Sequence, residues 1–439
     1  MTRDMGGANL TPSVTSFVWE AAMKVLTGAT LIDGTGRKPV ADAAVVIDGE
    51  RIMQAGPRGS VKYPSSAEVV DLKGLTLMPG LIDCHDHLNH HTYSLMDRWE
   101  LDAPASYRAL RTATVLRELL EMGYTAVREG GGLDAGFKQG IEDGLIQGPR
   151  LMLSVTLISP TGGLADVRSP SGHCCPVPTS LSLPSGVADG VDACRAKVRE
   201  MQRVGADVIK IASTGGASSR PRHGPFDHEF TREELDAIVN EAHDMGMKVM
   251  CHALGGPGLR RAIEAGVDSI EHGTYLTQDP DVIPMMAEKG IFYVPTLLVY
   301  VFHRDNPMKH SRERARALEK AHKESVRAAM KAGVRVAAGT DSGGWGHPLN
   351  SREVELLTTV GGLSNMEALQ SAMGIASQCL GMEREIGTVE KGKLADLVAV
   401  AGDPLKDIKV LQDKSKIRMV MKGGEGGGEE VGGSRRRAV

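Results

Sequence analysis

The stretch GLIDCHDH, residues 80–87, is an apolar run that ends in two histidines, His85 and His87. In an extended strand, residues two apart point to the same side, so both imidazoles would face one space. Comparable apolar runs recur along the chain and predict seven further strands. These runs end at Glu129, Ser159, Ser213, Ala253, Gly273, Leu297 and Asp341.

Amphipathic stretches separate most of these runs. The segments REELDAIVNEAHDMG (232–246) and RARALEKAHKESVRAAMKAG (314–333) have the apolar spacing of helices. Strands that alternate with helices predict an α/β protein with a parallel sheet. Because eight such units follow one another over about 300 residues, the pattern favours a (β/α)8 TIM barrel over an open sheet.

The two ends of the chain have a different pattern. Residues 24–80, and again residues 387–422, contain short alternating stretches broken by Gly and Pro, which predict strands and hairpins. We expect both ends to meet as one small β-sandwich domain. The predicted organisation is an N-terminal extension (1–23), that β domain, a barrel (81–386) and a Gly-rich, disordered tail (423–439).

Composition excludes some classes of partner. A formal net charge of -4 over 439 residues gives no electrostatic reason to expect nucleic acid or membrane binding. No apolar run is long enough for a signal sequence or a membrane span. Six cysteines lie in no zinc-finger or disulfide spacing. We therefore expect a reduced, cytoplasmic protein that acts on a small molecule, and a homo-oligomer remains open.

Polar side chains cluster at the carboxyl ends of the predicted strands, the face where a barrel collects its active-site residues. Each has an ordinary explanation alone: a buried histidine can be structural, and an aspartate can cap a helix or form a turn. Together they supply nitrogen and oxygen ligands for two divalent metal ions, with zinc the leading candidate. The residues are His85, His87, Lys210, His252, His272 and Asp341.

Lys210 interrupts the apolar run VIKIA, where an unpaired ammonium would be costly to bury. It could pair with a carboxylate or extend to the rim of the barrel. Alternatively, carboxylation by CO2 would turn the cation into a carbamate that bridges two metal ions. We therefore include carboxylated Lys210 among the predicted cofactors.

The motifs PGLIDCHDH, IKIASTGG, CHA, EHG and GTDSG resemble the amidohydrolase superfamily, over about Val25 to Lys422. TAVREGGG, ISPTGG and IKIASTGGASS resemble its imidazolonepropionase-related group, which includes metal-dependent prolidases (Xaa-Pro dipeptidases) and dipeptide carboxypeptidases. The resemblance implies a binuclear site bridged by carboxylated Lys210. It implies one metal held by His85, His87 and Asp341, and the other by His252 and His272.

Two departures from that group concern the site. Leu164 stands in TGGLAD where relatives often have histidine, which puts substrate contacts near that loop in doubt. Glu129 stands where many relatives have Asp, a milder change.

The expected reaction is attack on an amide carbonyl by a metal-bridging hydroxide, with Asp341 as general base and then general acid. An Xaa-Pro dipeptide is the favoured substrate. A carboxypeptidase or amidase acting on other dipeptides or N-acyl amino acids, including aromatic amides, is the first alternative, and a catalytically silent binding protein the second. Side chains after the fourth strand could bind a substrate α-carboxylate, or form only a solvated basic loop. They are Arg220, Arg222, His223 and His228.

Overall fold

The structure is a computed structural model, and it describes residues 23–90, 103–166, 183–217, 219, 223–306, 308–343 and 346–428. The predicted N-terminal extension therefore lies outside the described residues, apart from Met23. The strands are β1 (Lys24–Leu31), β2 (Val40–Asp48), β3 (Arg51–Pro57), β4 (Glu68–Asp71), β5 (Thr76–Pro79), β6 (Leu81–Asp86), β7 (Tyr124–Glu129), β8 (Arg150–Leu153), β9 (Leu157–Ile158), β10 (Val208–Ala212), β11 (Lys248–Ala253), β12 (Ser269–His272), β13 (Phe292–Val294), β14 (Leu397–Val400), β15 (Ile417–Lys422) and β16 (Glu425–Gly428).

Helices lie mainly between the central strands. They are α1 (Ala105–Glu121), α2 (Ala135–Glu142), α3 (Val191–Arg203), α4 (Arg232–Asp244), α5 (Gly256–Ala265), α6 (Val282–Lys289), α7 (Leu297–His303), α8 (Lys309–Lys331), α9 (Ser351–Leu356), α10 (Asn365–Ser371) and α11 (Gly374–Leu380). The two amphipathic segments of the sequence fall on α4 and α8.

Local sequence signals set where these helices begin and end. A capping box starts α4, because the Thr231 side chain accepts from the Glu234 backbone while Glu234 accepts from Thr231 N at 2.8 Å. Gly290 ends α6 in the left-handed conformation with φ 70°, which glycine adopts without steric cost. Such abrupt ends return the chain directly to the next strand.

Strands from both ends of the chain form one eight-stranded sheet in the order β16-β15-β14-β5-β1-β2-β3, with β4 also paired to β1. Leu77 of β5 pairs with Ala399 of β14, which joins the N-terminal and C-terminal strands. Alternate residues of β2 enter different apolar clusters: Val45 lies on one face and Val46 on the other. The ends therefore meet as predicted, but in one continuous mixed sheet. The two facing sheets of a sandwich are not seen among the described residues.

The segment expected to be a disordered tail begins instead with regular structure. Residues 423–424 make a turn, and β16 then pairs antiparallel with β15, with Met421 opposite Gly426. Backbone hydrogen bonding orders this glycine-rich strand even though three of its four residues are glycines. Residues 429–439 lie outside the described part of the chain.

The middle of the chain contains two parallel sheets, β6-β7-β8 and β9-β10-β11-β12-β13. The final apolar run, 335–341, and the residue that follows it lie beside both sheets: parallel bridges join Tyr293 to Val336 and Asp86 to Ser342. The fold is therefore α/β with parallel sheets. The described ladders do not form the single closed sheet that we predicted.

The predicted third strand, ending at Ser159, is broken into β8 and β9. Val155 lies between them with φ 63°, a left-handed conformation that a β-branched residue rarely adopts. Its carbonyl accepts a hydrogen bond from Gly132 N at 2.9 Å, so a neighbouring loop holds the break in place. Within the described residues, no helix is both long and apolar enough to cross a membrane.

Candidate metal centre

The carboxyl ends of the central parallel strands bring the six predicted ligands together. Parallel register aligns Ala212 of β10 with His252 of β11, and Ala253 of β11 with His272 of β12. The bridge between Asp86 and Ser342 brings Asp341 next to β6. The residues that meet at this face are His85, His87, Lys210, His252, His272 and Asp341.

Short distances connect these side chains into one cluster. His85 Nε2 lies 3.2 Å from Lys210 Nζ and 3.5 Å from Asp341 Oδ1. His87 Nε2 lies 3.2 Å from the same carboxylate oxygen. The His272 ring centroid is 5.1 Å from that of His85 and 4.5 Å from that of His252. One ligand atom each from His85, His272 and Asp341 lie within 4.8 Å of one another.

Hydrogen bonds tie the other nitrogen of three imidazoles. His85 Nδ1 contacts Glu271 Oε2 at 2.8 Å, and His87 Nδ1 contacts the Gly131 carbonyl at 3.0 Å. His272 Nδ1 contacts Thr296 Oγ1 at 2.7 Å, and that hydroxyl donates to the Pro295 carbonyl. The Glu271 carboxylate and the Gly131 carbonyl can only accept, and the Thr296 hydroxyl, which already donates to Pro295, must accept from His272. Each Nδ1 therefore carries the proton. The Nε2 lone pairs of His85 and His272 are thereby left available for a metal, whereas His87 Nε2 contacts Asp341 Oδ1 at 3.2 Å.

His252 supplies an independent indication of a cation site. Its Nε2 is buried and has no hydrogen-bond partner among the described residues. A buried polar atom without a partner is costly, and such atoms often mark a bound ion or water. Four imidazoles, one carboxylate and one lysine therefore fit the donor set of divalent metal ions.

Burial sets the charge of these groups. It lowers the pKa of His85 to about 4 and that of His252 to about 3, with the Lys210 ammonium adding to both shifts. Burial also lowers the pKa of Lys210 to about 8. Neutral imidazoles are the form that binds metals. The neutral amine is the form that reacts with CO2, and the lowered pKa of Lys210 increases its fraction.

The pKa of Asp341 is determined by its charged neighbours more than by burial. Burial alone would raise its pKa, but the hydrogen bond from His87 and the fields of His85 and His272 hold it well below the usual range. Its backbone has φ 53°, and that of His272 has φ 71°. Non-glycine residues in this region carry strain, which clusters at functional sites. Asp341 N donates to the His85 carbonyl at 2.7 Å, which links this strained turn to β6.

A buried ion pair between Arg128 and Glu271 supports the cluster, and it was not predicted from the sequence. Arg128 Nη2 lies 2.8 Å from Glu271 Oε1, and both side chains are at most 1% exposed. Glu271 also accepts from His85, and these partners outweigh burial to lower its pKa to about 2. Charged residues inside the runs AVRE and SIEH were the signal that could have revealed this pair.

A second unpredicted network holds β6. Asn350 Nδ2 donates to Asp83 and Asp86, each at 2.7 Å. Thr340 Oγ1 donates to Asp83 at 2.8 Å, and His347 Nε2 lies 2.6 Å from Asp86. Burial and the nearby Asp86 charge raise the pKa of Asp83 to about 7. The two aspartates that flank His85 are thus structural anchors for the HxH strand.

Only two of the four residues proposed to bind a substrate carboxylate lie within the described residues. Arg220 and Arg222 lie outside the described residues. His223 Nε2 contacts buried Glu229 at 3.0 Å, whereas the His228 side chain is exposed. Leu164 N donates to the same Glu229 oxygen at 2.9 Å. Glu229 therefore joins the loop that contains Leu164 to the loop that follows β10.

A cleft of about 790 Å³ lies elsewhere, at the amino ends of β11 to β13. Lys248, Asp268 and Phe292 are among its lining residues, and none of the six predicted ligands is. Lys248 and His252 are at opposite ends of β11. The cleft and the candidate metal centre are therefore different sites.

Comparisons with known proteins identify the family and similar folds. Residues 76–426 match the Amidohydrolase family. Ochratoxinase from Aspergillus niger is 34% identical over 437 residues, covering 94% of this chain and 88% of the relative. Imidazolonepropionase from Rhizorhabdus wittichii is 29% identical, covering 83% and 89%. The crystal structure of a prolidase complexed with N-methylphosphonate-L-proline aligns with a TM-score of 0.86 at 33% identity, covering 93% of this chain and 100% of that one.

Proposed function

Because this chain belongs to the amidohydrolase family, a group of hydrolases that act on amide bonds, we propose that it cleaves dipeptides at a two-metal centre, with Xaa-Pro dipeptides as its preferred substrates. The convergence of six ligand-type side chains on one buried face carries this proposal. The proposed ions are zinc, because imidazole and carboxylate donors suit it.

The proposed ligand assignment follows the family resemblance. His85, His87 and Asp341 hold one ion, and His252 and His272 hold the other. Lys210, carboxylated by CO2, lies between the two sets. Its Nζ is 3.2 Å from His85 Nε2, a separation at which an ammonium and a bound metal would compete, so the carbamate form is the one that suits a loaded site.

The metal ions, when bound, would lower the pKa of a shared water and polarise the scissile carbonyl. Asp341 then performs the proton transfers. Its low pKa keeps it ionised as a base, and its side chain is 15% exposed, so a substrate can reach it. It accepts the proton of the attacking water and delivers it to the leaving nitrogen.

The substrate proposal rests on two supports. A similar crystal structure is that of a prolidase complexed with a proline phosphonate. In this chain, the loop after β10 carries Arg220, Arg222, His223 and His228, which we propose as the region that binds the substrate α-carboxylate. Such binding would favour dipeptides over internal peptide bonds.

A second candidate is hydrolysis of N-acyl amino acids. It is favoured by the relative named ochratoxinase and by Leu164, which places an apolar side chain in the loop beside Glu229. The same metal centre would serve both reactions, since only the group acylating the amine differs.

The proposed catalytic frame is a closed (β/α)8 barrel. The bridges from the run 335–341 to β13 and β6 support closure on one side. On the other side, β8 and β9 belong to one interrupted run. We also propose a reducing cytoplasmic location, supported by Cys84, Cys194, Cys251 and Cys379, which are buried free thiols.

The test is turnover of a substrate panel by zinc-reconstituted protein. The panel contains Xaa-Pro dipeptides, dipeptides without proline, N-acyl amino acids and the C-terminal amide of each. We expect the highest kcat/KM for Xaa-Pro with a free carboxylate, and a higher KM for the amides. Preference for N-acyl amino acids would support the second candidate. Two bound zinc ions without turnover of any substrate would contradict both and favour a binding protein.

A further inference from the structure

Glu129 is a buried carboxylate with one unused oxygen. It ends β7, is 0% exposed, and accepts a hydrogen bond from Gly131 N through Oε2 at 2.9 Å. Its Oε1 is buried without a hydrogen-bond partner among the described residues. Burying a carboxylate is costly unless a donor or a cation compensates it. The free oxygen therefore calls for a compensating group.

Another buried glutamate of the protein has both of its oxygens compensated. Glu353 is 1% exposed, and its two oxygens accept from Leu297 N at 2.9 Å and from Leu298 N at 2.7 Å. Both oxygens are satisfied where the carboxylate caps the start of α7. Glu129 has comparable burial but only half of this compensation.

The turn that contains Glu129 encloses the proposed ligands. His87 Nδ1 bonds the Gly131 carbonyl at 3.0 Å. A Cβ atom added to Gly130 would lie 3.0 Å from His87 Cε1 and 3.2 Å from His85 Cδ2. Burial and the Asp86 charge raise the pKa of Glu129 to about 8, and the charges that oppose this rise are those of His87 and Lys210. Both residues belong to the candidate metal centre, and they come from strands on either side of β7 in chain order.

Charge balance at the centre points the same way. Two divalent ions carry four positive charges, whereas Asp341 and a carboxylated Lys210 supply two negative ones and the attacking hydroxide would supply a third. A further buried carboxylate would offset part of the excess, and at this depth its field is poorly screened by water.

We propose that Glu129 is a seventh member of the metal centre, whose free Oε1 stabilises the ions bound beside His87 and Lys210. This inference rests on the proposed two-metal site and adds a residue to it. It also gives a role to the acidic residue at the end of the second predicted strand, which the six-ligand assignment left unused.

The test compares Glu129→Gln with Glu353→Gln as the matched buried control. Zinc affinity is measured by competition with a chromogenic chelator, zinc content by mass spectrometry, and the melting temperature with and without zinc. For Glu129→Gln we expect affinity for at least one ion to fall about 10–100-fold. The rise in Tm on zinc binding should shrink, while the metal-free Tm should not fall, because glutamine can keep the hydrogen bond from Gly131 N without burying an ionisable group.

Glu353→Gln should lower the Tm of the metal-free and zinc-loaded protein alike, with unchanged zinc affinity. If Glu129→Gln does not fold, Glu129→Asp provides the same comparison, with retained charge but a displaced oxygen, and an intermediate loss of affinity is expected. Wild-type zinc affinity in the Glu129 variants would overturn the inference while leaving the proposed function intact. A wild-type protein that binds no zinc would instead overturn the proposed function.

Discussion

Replacing Arg128 by methionine tests the buried ion pair beneath the metal centre. Methionine keeps much of the apolar stem but removes the guanidinium, which donates to Glu271 at 2.8 Å and to Ser269 Oγ at 3.2 Å. Glu271 is 0% exposed and has no access to water as a replacement. Removing one partner of a buried ion pair leaves an uncompensated charge, so the free energy of unfolding should fall by about 3–5 kcal/mol.

The assay is a double-mutant cycle on the metal-free protein, with urea unfolding of Arg128→Met, Glu271→Gln and the double variant. Working without metal separates stability from ligand loss, since Glu271 also holds His85. The double variant no longer buries either charge, so its loss should be smaller than the sum of the single losses by about 2–3 kcal/mol. Additivity within about 0.5 kcal/mol would refute the argument.

Three further predictions concern other parts of the site. Asp341→Asn should lower kcat by about 10²-fold or more with the fold retained; near-normal turnover in steady-state assays would contradict its assignment as the proton-transfer group. Gly130→Ala should weaken zinc binding and turnover, because the new Cβ presses on the His87 ring. The control Gly59→Ala adds its Cβ to open space and should change neither, so equal effects would be contrary evidence. Burial lowers the pKa of His322 to about 4, so its protonation favours the unfolded chain. The stability this group provides is present above about pH 6.5 and is lost as pH falls towards 4, by about 2 kcal/mol between pH 7 and 5. His322→Asn should show correspondingly less loss in metal-free urea unfolding at the two pH values, and an unchanged pH dependence would disprove this.

The strand periodicity and the residues at strand ends were predictable from sequence because both are local patterns. The apolar runs predicted the parallel strands. Because His85, His252 and His272 each lie at the carboxyl end of such a run, they were predicted to lie on one common face. Lys210 stood out because a single charge interrupts an apolar run. Each signal required only the residue and its immediate neighbours.

The supporting contacts were not predictable because they join distant segments. The Arg128–Glu271 pair spans 143 positions of the sequence, and Asn350 reaches back to Asp83 over 267. Val155 breaks a strand through a left-handed conformation that its β-branched side chain disfavours. Two backbone hydrogen bonds hold that break, from Gly132 N to the Val155 carbonyl and from Thr156 N to the Ser154 carbonyl, and no local sequence pattern at Val155 indicates it.

The single continuous sheet at the chain ends differs from the predicted sandwich for a related reason. The continuous apolar run AAVVI of β2, residues 43–47, shows that both faces of the sheet are covered, but it does not identify what covers them. The pairing of β5 with β14 decides the outcome, since it extends one ladder across both chain ends.

Anomalous X-ray scattering at the zinc edge, measured on crystals of the zinc-reconstituted enzyme, tests the central claim most directly. The account predicts two peaks per chain, one among His85, His87 and Asp341 and the other between His252 and His272. Continuous density should extend from Lys210 Nζ to both ions. A single peak, no peak, or an unmodified Lys210 beside two ions would contradict the proposed metal centre.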